Sequence, residues 1–456
     1  MSRFGWGAAQ WCGIAIALGA SGCGPEPPPN VVLISVDTLR ADALGAYGGV
    51  PTQTLDRLAA EGVLFEEVFA PTPATAPSHA TLFTGQDPLR HGLLRNGETL
   101  PDSATTLAEA FHAAGYHTAA FVSSYVLDPR FGWSQGFEHY DADLPKESAT
   151  LKAPYPGAFW AGEHSAGFDR RATATTKAVR AWLASAPEPF FLFVHYFDPH
   201  APYVPPEPYV ERIGSRRFPL DGRAVAGLSP QQIEQLIRRY HGEVLYIDDS
   251  VGALLEGISE RRSKRSTLTV VVADHGEGLG QHGWLEHALY LYDEQIRIPL
   301  IVHWPGHLPA GRRVRAQVGL VDVAPTLAEL AGLPPLAPID GRSLAAVARG
   351  GAEPAARPLF GQRYLVTETT GSDHGVKTSV RTPHWKYIRA PEESDELYDL
   401  DADPGELRNV LGQQPEVAAA LRSLIETHVA TLPGAAPAPP LSEETRQALR
   451  ALGYVD

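Results

Sequence analysis

Residues 31–37, "VVLISVD", are apolar and rich in β-branched side chains without a break until they end on a carboxylate. A run of this kind is a strand buried on both faces, which belongs at the centre of a parallel sheet covered by helices. The chain downstream obeys that constraint. Helical patterns at 53–62, 79–84, 104–114 and 170–184 alternate with strand-like "HTAAFV" (117–122) and "PFFLFVHYF" (189–197). A longer helical stretch at 230–258 precedes strands at 266–274 and 299–305 and a helix at 323–332. Alternation in this order builds βαβ units, so the expected fold class is α/β, with a doubly wound sheet flanked by helices. With 456 residues, 44% of them hydrophobic, the chain has material for one large domain with an appendage or for two ordinary domains. Beyond about residue 350, short strands separated by turn residues ("PLFGQR", "YLVTET", "TSVRTPHWKYIRA", "DELYDL") predict a smaller antiparallel sheet packed on the main domain. A helix at 415–430, an Ala/Pro linker at 432–440 and a last amphipathic helix capped by Ser442 complete the chain.

Both cysteines, Cys12 and Cys23, fall within the first 23 residues. That segment holds one charge, Arg3, then the apolar stretch "WCGIAIALGA" and the small residues "ASGC", the layout of a secretory signal peptide and too short for a membrane-spanning helix. Ala20-Ser21-Gly22-Cys23 resembles the lipobox of bacterial lipoproteins. The expectation is cleavage before Cys23 and lipidation of that residue, giving an extracytoplasmic protein anchored to the membrane, with plain secretion as the alternative. "GPEPPPN" would then be a stiff tether of about 20 Å at about 3.1 Å per residue. The expected organisation is a leader at 1–22, a tether at 23–30, a catalytic domain at 31–349, an antiparallel subdomain at 350–414 and a helical tail at 415–456. The balance of 38 Lys+Arg against 53 Asp+Glu, net charge -15 with no long basic run, argues against nucleic acid as a partner.

In open parallel sheets ligands bind at the carboxyl ends of strands. Asp37 closes the first strand and Asp274-His275 closes "LTVVVAD", followed by Gly276, which permits a sharp turn. A single strand-end aspartate can be no more than a cap for the next helix. Two carboxylates and an imidazole facing one crevice, however, repel and desolvate badly without a cation between them, so a divalent metal is the natural solution. "HYFDPHAPY" adds His195, Asp198 and His200 after the preceding strand, and His282 and His287 follow Asp274. One buried histidine is usually a satisfied core residue; four in two strand-end loops are harder to dismiss. In "APTPATAPSHATLFTG" (70–85), Thr75 stands before a short helix, where local chemistry favours a helix cap and also allows a nucleophile.

Taken together, "VVLISVDTLRADALGAYG", "PSHATLFTGQDPLRHG", "FLFVHYFDPHAPYVPP", "VVADHGEGLGQHG", "LYDEQIRIPLIVHWPG" and "ELYDLDADPGELRNV" resemble, in order and spacing, the sulfatase branch of the alkaline phosphatase superfamily. The resemblance implies an alkaline-phosphatase-like fold, with Asp37, Thr75, Asp274 and His275 at a divalent cation. Calcium is implied by the family; zinc or manganese suits a shell containing histidine. It implies Thr75 as nucleophile, His195, His200 and His287 on the ester's oxygens or leaving group, and Arg40 as a support of the site. Two places depart from the pattern: Thr38 stands where many relatives have a second acidic ligand, and the C/S-x-P-x-R frame that yields formylglycine reads Thr75-Ala76-Pro77-Ser78-His79. Threonine cannot become formylglycine, because oxidation at its β-carbon gives a ketone. "T-x-P-S-H" instead resembles the threonine nucleophile of nucleotide pyrophosphatase/phosphodiesterases. The expected function is therefore metal-dependent hydrolysis of phosphate or sulfate esters, phosphate in preference. The alternatives are a transferase resembling the phosphoethanolamine transferases of bacterial envelopes and a catalytically inactive binding protein.

Overall fold

The computed structural model describes, besides Met1, residues 27–145, 169–215, 228–366, 373–391, 393–432 and 441–451. The leader, Cys23, most of the tether, nearly all of the 144–168 loop and nearly all of the 432–440 linker lie outside them. No helix among the described residues is long and apolar enough to cross a membrane.

The strands are β1 (Asn30–Val36), β2 (Val63–Phe69), β3 (His117–Phe121), β4 (His139–Asp141), β5 (Phe190–Tyr196) and β6 (Thr267–Ala273). After them come the small hairpin β7 (Gly278–Leu279) and β8 (Leu285–Glu286), then β9 (Arg297–His303), β10 (Arg312–Val314) and β11 (Val318–Gly319). The main sheet runs β10-β2-β9-β6-β1-β5-β3-β4, with β11 also on β2. Its β6-β1-β5-β3-β4 half is parallel, while β9 runs antiparallel to both β6 and β2, so the sheet is mixed and mainly parallel as expected. Every residue of β1 is buried, as a central strand with helices on both faces requires. The long helix Pro230–Glu260, opened by a capping box of Ser229 and Gln232, packs on the shorter helices Gln53–Glu61 and Ala172–Leu183.

The C-terminal sheet is antiparallel, β12 (Leu359–Val366), β13 (Asp373–Arg381), β14 (Trp385–Arg389) and β15 (Glu396–Asp399) in that order, with the helix Pro415–Thr431 against it. "PLFGQR" and "YLVTET", expected as two strands, contribute to the single β12, which pairs with β13 through an irregularity after Tyr364. β2 has no counterpart in the sequence reading, because "VLFEEVF" carries two glutamates at its centre that break an apolar run; they are half-buried next to Arg297 and Arg313. The last helix begins at Glu443, with the Ser442 hydroxyl accepting from the Thr445 amide at 3.1 Å.

Buried charge joins the two sheets. Lys386 of β14 has no exposed surface, and its ammonium sits 2.8 Å from Asp293 and 2.8 Å from Glu406. Burial raises the Asp293 carboxyl, but Lys386 and Arg381 outweigh it and hold that group well below the usual carboxylate range. Removing one partner of a buried pair strands the other's charge. Lys386→Met is expected to destabilise the protein by about 3–5 kcal/mol, read as a lower midpoint in denaturant unfolding.

Candidate active site

Strand register alone brings the first groups together. Val36 of β1 lies beside Ala273 of β6, so the next residues, Asp37 and Asp274, emerge side by side at the carboxyl end of the sheet. On the other flank Ser35 lies beside His195 of β5. Asp37, Asp274 and His275 are all fully buried and offer ligand atoms within 4.8 Å of one another. The turn that follows β1 is strained: Thr38, a β-branched residue, has φ 56. It is held by its amide donating to Asp274 Oδ1 at 3.2 Å and by the Tyr240 hydroxyl donating to its carbonyl at 2.8 Å.

Hydrogen bonding fixes which ring nitrogens face the cluster. His275 Nδ1 donates to the Gly276 carbonyl at 2.9 Å, which leaves Nε2 with its lone pair toward Asp37 (3.7 Å) and Asp274 (3.5 Å). Among the described residues, Asp37 Oδ1 and Oδ2 and Asp274 Oδ2 accept no well-formed hydrogen bond. Buried carboxylate oxygens without donors, converging with an imidazole lone pair, fit a divalent cation. In the protein alone, burial lifts the Asp37 carboxyl to about 7 against the pull of His275 and Thr75; burial and Asp37 together raise Asp274.

Thr75 is the first residue of the helix Thr75–Thr84, four residues earlier than the sequence pattern suggests. Pro77 does not prevent this, because the first-turn N–H groups have no partner inside a helix anyway. The expectation that Thr75 caps the helix is not met. Ala74, extended at φ -143 and ψ 136, occupies the cap position without a side-chain bond, and Asn96 Oδ1 accepts the Ala76 amide at 2.8 Å in its place. The Thr75 hydroxyl is thereby released toward the cluster, 3.4 Å from His275 Nε2. His79 braces the same turn: its Nδ1 donates to the Thr75 carbonyl at 2.8 Å and its Nε2 accepts from Ser35 at 3.0 Å. Burial draws the His79 imidazole down to about 4, so the place that formylglycine frames give to arginine carries a neutral ring here.

The remaining histidines divide. His195 Nδ1 accepts the Ser123 amide at 3.4 Å, so Nε2 carries the proton and faces Asp37 at 3.5 Å. His287 and His200 form a row leading out of the cluster, with ring centroids 4.4 Å between His275 and His287 and 4.8 Å between His287 and His200. His287 Nδ1 donates to the fully buried Glu277 at 3.1 Å, a carboxylate that orients the ring. His282 lies elsewhere, against Glu294 and stacked on Tyr292, beside a cavity of about 380 Å³ that none of Asp37, Thr75, Asp274 or His275 lines. Arg40 does not reach the reacting position: its guanidinium bonds Asp42 and the Glu277 carbonyl, so it positions the Gly276–Glu277 turn. Asp198 accepts the Ala172 amide at 3.0 Å and pairs with Arg171 at 2.6 Å, a structural anchor. Sequence reasoning missed Glu277, Asn96 and Tyr240. Glu277 was within reach, since it stands two residues past His275 in "ADHGEG"; the other two depend on contacts across 20 and 200 residues.

Known proteins resemble the chain throughout this region. The family model described as Sulfatase matches residues 29–333, and that described as N-sulphoglucosamine sulphohydrolase, C-terminal, matches 280–431. The uncharacterized sulfatase YidJ of Escherichia coli is 26% identical, covering 84% of this chain and 83% of its own. The delta 4,5-hexuronate-2-O-sulfatase of Bacteroides thetaiotaomicron is also 26% identical, over 91% of this chain and 92% of its own. The crystal structure of a phosphonate monoester hydrolase from Agrobacterium radiobacter superposes with a TM-score of 0.75 at 24% identity, covering 88% of this chain and 96% of that one.

A carboxyl whose native value lies near 7 and whose unfolded value lies near 3.8 keeps its proton in the native state while the unfolded chain has lost it. Metal-free protein is therefore expected to lose stability as pH rises from about 4 to 7, on the order of 4 kcal/mol from Asp37. Divalent cation should raise the melting temperature far more at pH 8 than at pH 5. A cation-induced shift independent of pH would contradict this account of Asp37.

Proposed function

The chain belongs to the sulfatase family of hydrolases, and from that premise we propose that it cleaves phosphate or sulfate esters with Thr75 as nucleophile, phosphate esters in preference. The observation that carries this reading is the buried Thr75 hydroxyl, 3.4 Å from His275 Nε2 and relieved of helix capping by Asn96. Asp37, Asp274, His275 and Thr75 are the residues to hold the divalent cation, which when bound supplies positive charge that favours the threonine alkoxide and the ester's developing charge.

The chain's own groups then divide the work. Thr75 Oγ1, its hydroxyl proton passing to solvent, forms a bond to phosphorus as the bond to the ester oxygen breaks, at a helix N-terminus whose potential favours negative charge. His287, fixed by Glu277 and backed by His200, stands in the row of rings leading out of the cluster and supplies the proton that the departing alkoxide takes up. Water next attacks the phosphothreonine, releasing phosphate and restoring the hydroxyl. His195 turns its Nε2 proton toward the Asp37 carboxylate at 3.5 Å, and His79 keeps the Thr75 turn in place without adding charge. Preference for phosphate follows from the second step. A sulfated threonine has no hemiacetal route by which to expel sulfate, whereas a phosphothreonine opens by in-line attack. Sulfate ester chemistry is represented among the relatives by the hexuronate-2-O-sulfatase, so sulfate esters belong in the same assay.

We also propose that the body acts outside the cytoplasm, tethered through Cys23. Mass analysis should find the chain cut before that residue, and Cys23→Ser should move the protein from the membrane fraction to the soluble one. Recovery of the intact chain with Met1 in the cytosol would overturn this.

Thr75→Ala is expected to fold with a melting temperature near that of the parent, because Asn96 rather than Thr75 completes the helix start. Turnover should fall by about three orders of magnitude or more, with Thr75→Ser retaining part of it. Intact-mass measurement after acid quench should show a phosphoryl adduct on the parent and none on Thr75→Ala. A folded, metal-loaded Thr75→Ala protein with parental turnover would refute the role.

A further inference from the structure

β12 passes beside the segment that leads into Thr75. The Gln362 amide donates to the Pro71 carbonyl at 2.8 Å, four residues before the nucleophile, and Gly361 lies against both Pro71 and Leu291. One residue further along, Arg363 is only 4% exposed, its Nε meets no acceptor, and it forms no ion pair with any described residue. Its partner across the β12-β13 ladder is another cation, Lys377, itself 3% exposed. Two like charges directly opposed on a sheet repel each other. Lys377 is compensated, with Glu393 at 2.8 Å and its ammonium 5.5 Å from the centre of the Tyr290 ring. One carboxylate thus serves two buried cations. Burial pulls the Arg363 guanidinium below its usual value, and only Glu393, already engaged by Lys377, and Tyr290 oppose that.

A buried guanidinium that, among the described residues, has only a carboxylate already engaged by a lysine is under-compensated, and its planar fork matches carboxylate, sulfate and phosphate. Tyr290 lies three residues beyond His287, and the strand that carries Arg363 touches both segments that lead to the cluster, at Pro71 through the Gln362 amide and at Leu291 through Gly361. We propose that Arg363 is the base of a second anion subsite next to the catalytic cluster, taking a carboxylate, sulfate or phosphate carried on the alcohol portion of the ester. The proposal rests on the ester-hydrolase reading for its substrate, though not for its binding chemistry. Arg363 acts on substrate position and takes no part in bond breaking.

The test compares 4-nitrophenyl phosphate with 2-carboxy-4-nitrophenyl phosphate on the metal-loaded full chain. Arg363→Met should raise KM for the carboxylated ester at least ten-fold and for the plain ester less than three-fold, with kcat little changed for either; Arg363→Lys should recover part of the loss. Arg363→Gln provides the same comparison where the methionine variant does not fold. Equal shifts for both esters, or none for either, would overturn the subsite. Calorimetric titration of Thr75→Ala protein with phthalate separates this proposal from the catalytic one. Phthalate binding that weakens at least ten-fold on adding Arg363→Met supports the subsite even if no ester is turned over. Phthalate binding indifferent to Arg363, alongside normal turnover, overturns the subsite and leaves the hydrolase reading standing.

Discussion

The parallel pairing of β6, β1 and β5 is the constraint from which the site follows. Once Val36 is opposite Ala273, the aspartates that end the two strands must emerge at neighbouring positions on the sheet's edge, in a place already closed to solvent. Two buried carboxylates that close cannot both ionise without compensation. Much of the surrounding structure reads as a response to that conflict. His275 turns its protonated nitrogen away to the Gly276 carbonyl, His195 offers its own toward Asp37, and the strained Thr38 turn delivers an amide to Asp274. Of the neighbouring rings, His79 and His195 supply no full positive charge, because burial keeps both neutral near pH 7. A proton retained on Asp37, or a divalent cation in its place, balances the pair.

The same economy explains the helix that begins at Thr75. Threonine at the first position of a helix is ordinarily drawn into local hydrogen bonds with the backbone, which would bury its hydroxyl in capping. Here Asn96, twenty residues away in sequence, takes the Ala76 amide, while His79 secures the Thr75 carbonyl one turn on. Both interactions fix the backbone and leave Oγ1 uncommitted except toward the cluster. The neutral His79 also bears on the proposed mechanism: with no fixed cation beneath Thr75, an alkoxide there would depend more heavily on the Asp37, Asp274 and His275 group.

Legibility in the sequence followed the range of the interactions. β1, β5 and β6 are each encoded by a predominantly apolar, β-rich run, so the sheet's centre and the strand-end positions of Asp37, Asp274 and His275 could be read locally. β2 could not, since its glutamates take their charge balance from arginines more than 200 residues away. The start of the Thr75 helix was misplaced for a related reason. Pro77 is a break in a local pattern but harmless in a first turn, and which case applies is decided by Asn96. His282 shows the opposite case: it lies in a suggestive loop, yet its ring is committed to Glu294 and Tyr292, whereas Arg40 supports the site through the Glu277 carbonyl rather than at the cluster. A motif gives a residue's neighbours in the chain, and burial decides what is left over for chemistry.

The second sheet is more than an appendage in this arrangement. Lys386 and Arg381 hold Asp293, Glu406 takes the Asp293 amide, and the Glu406 carbonyl lies 3.0 Å from His282 Nε2. These contacts tie down both ends of the segment 282–293, and His287 stands in its middle. A boundary drawn near residue 350 therefore separates two sheets but not two mechanical units, which accords with the second family match beginning at 280 inside the first. The ring that would hand a proton to the leaving group is aimed from one side by Glu277 of the main sheet's edge and anchored from the other by charges of the C-terminal sheet. Because both supports are buried ion pairs or carboxylate hydrogen bonds with defined geometry, His287 is held by directional contacts rather than by packing alone. Its position should accordingly be more sensitive to loss of charge in the C-terminal sheet than to loss of volume there.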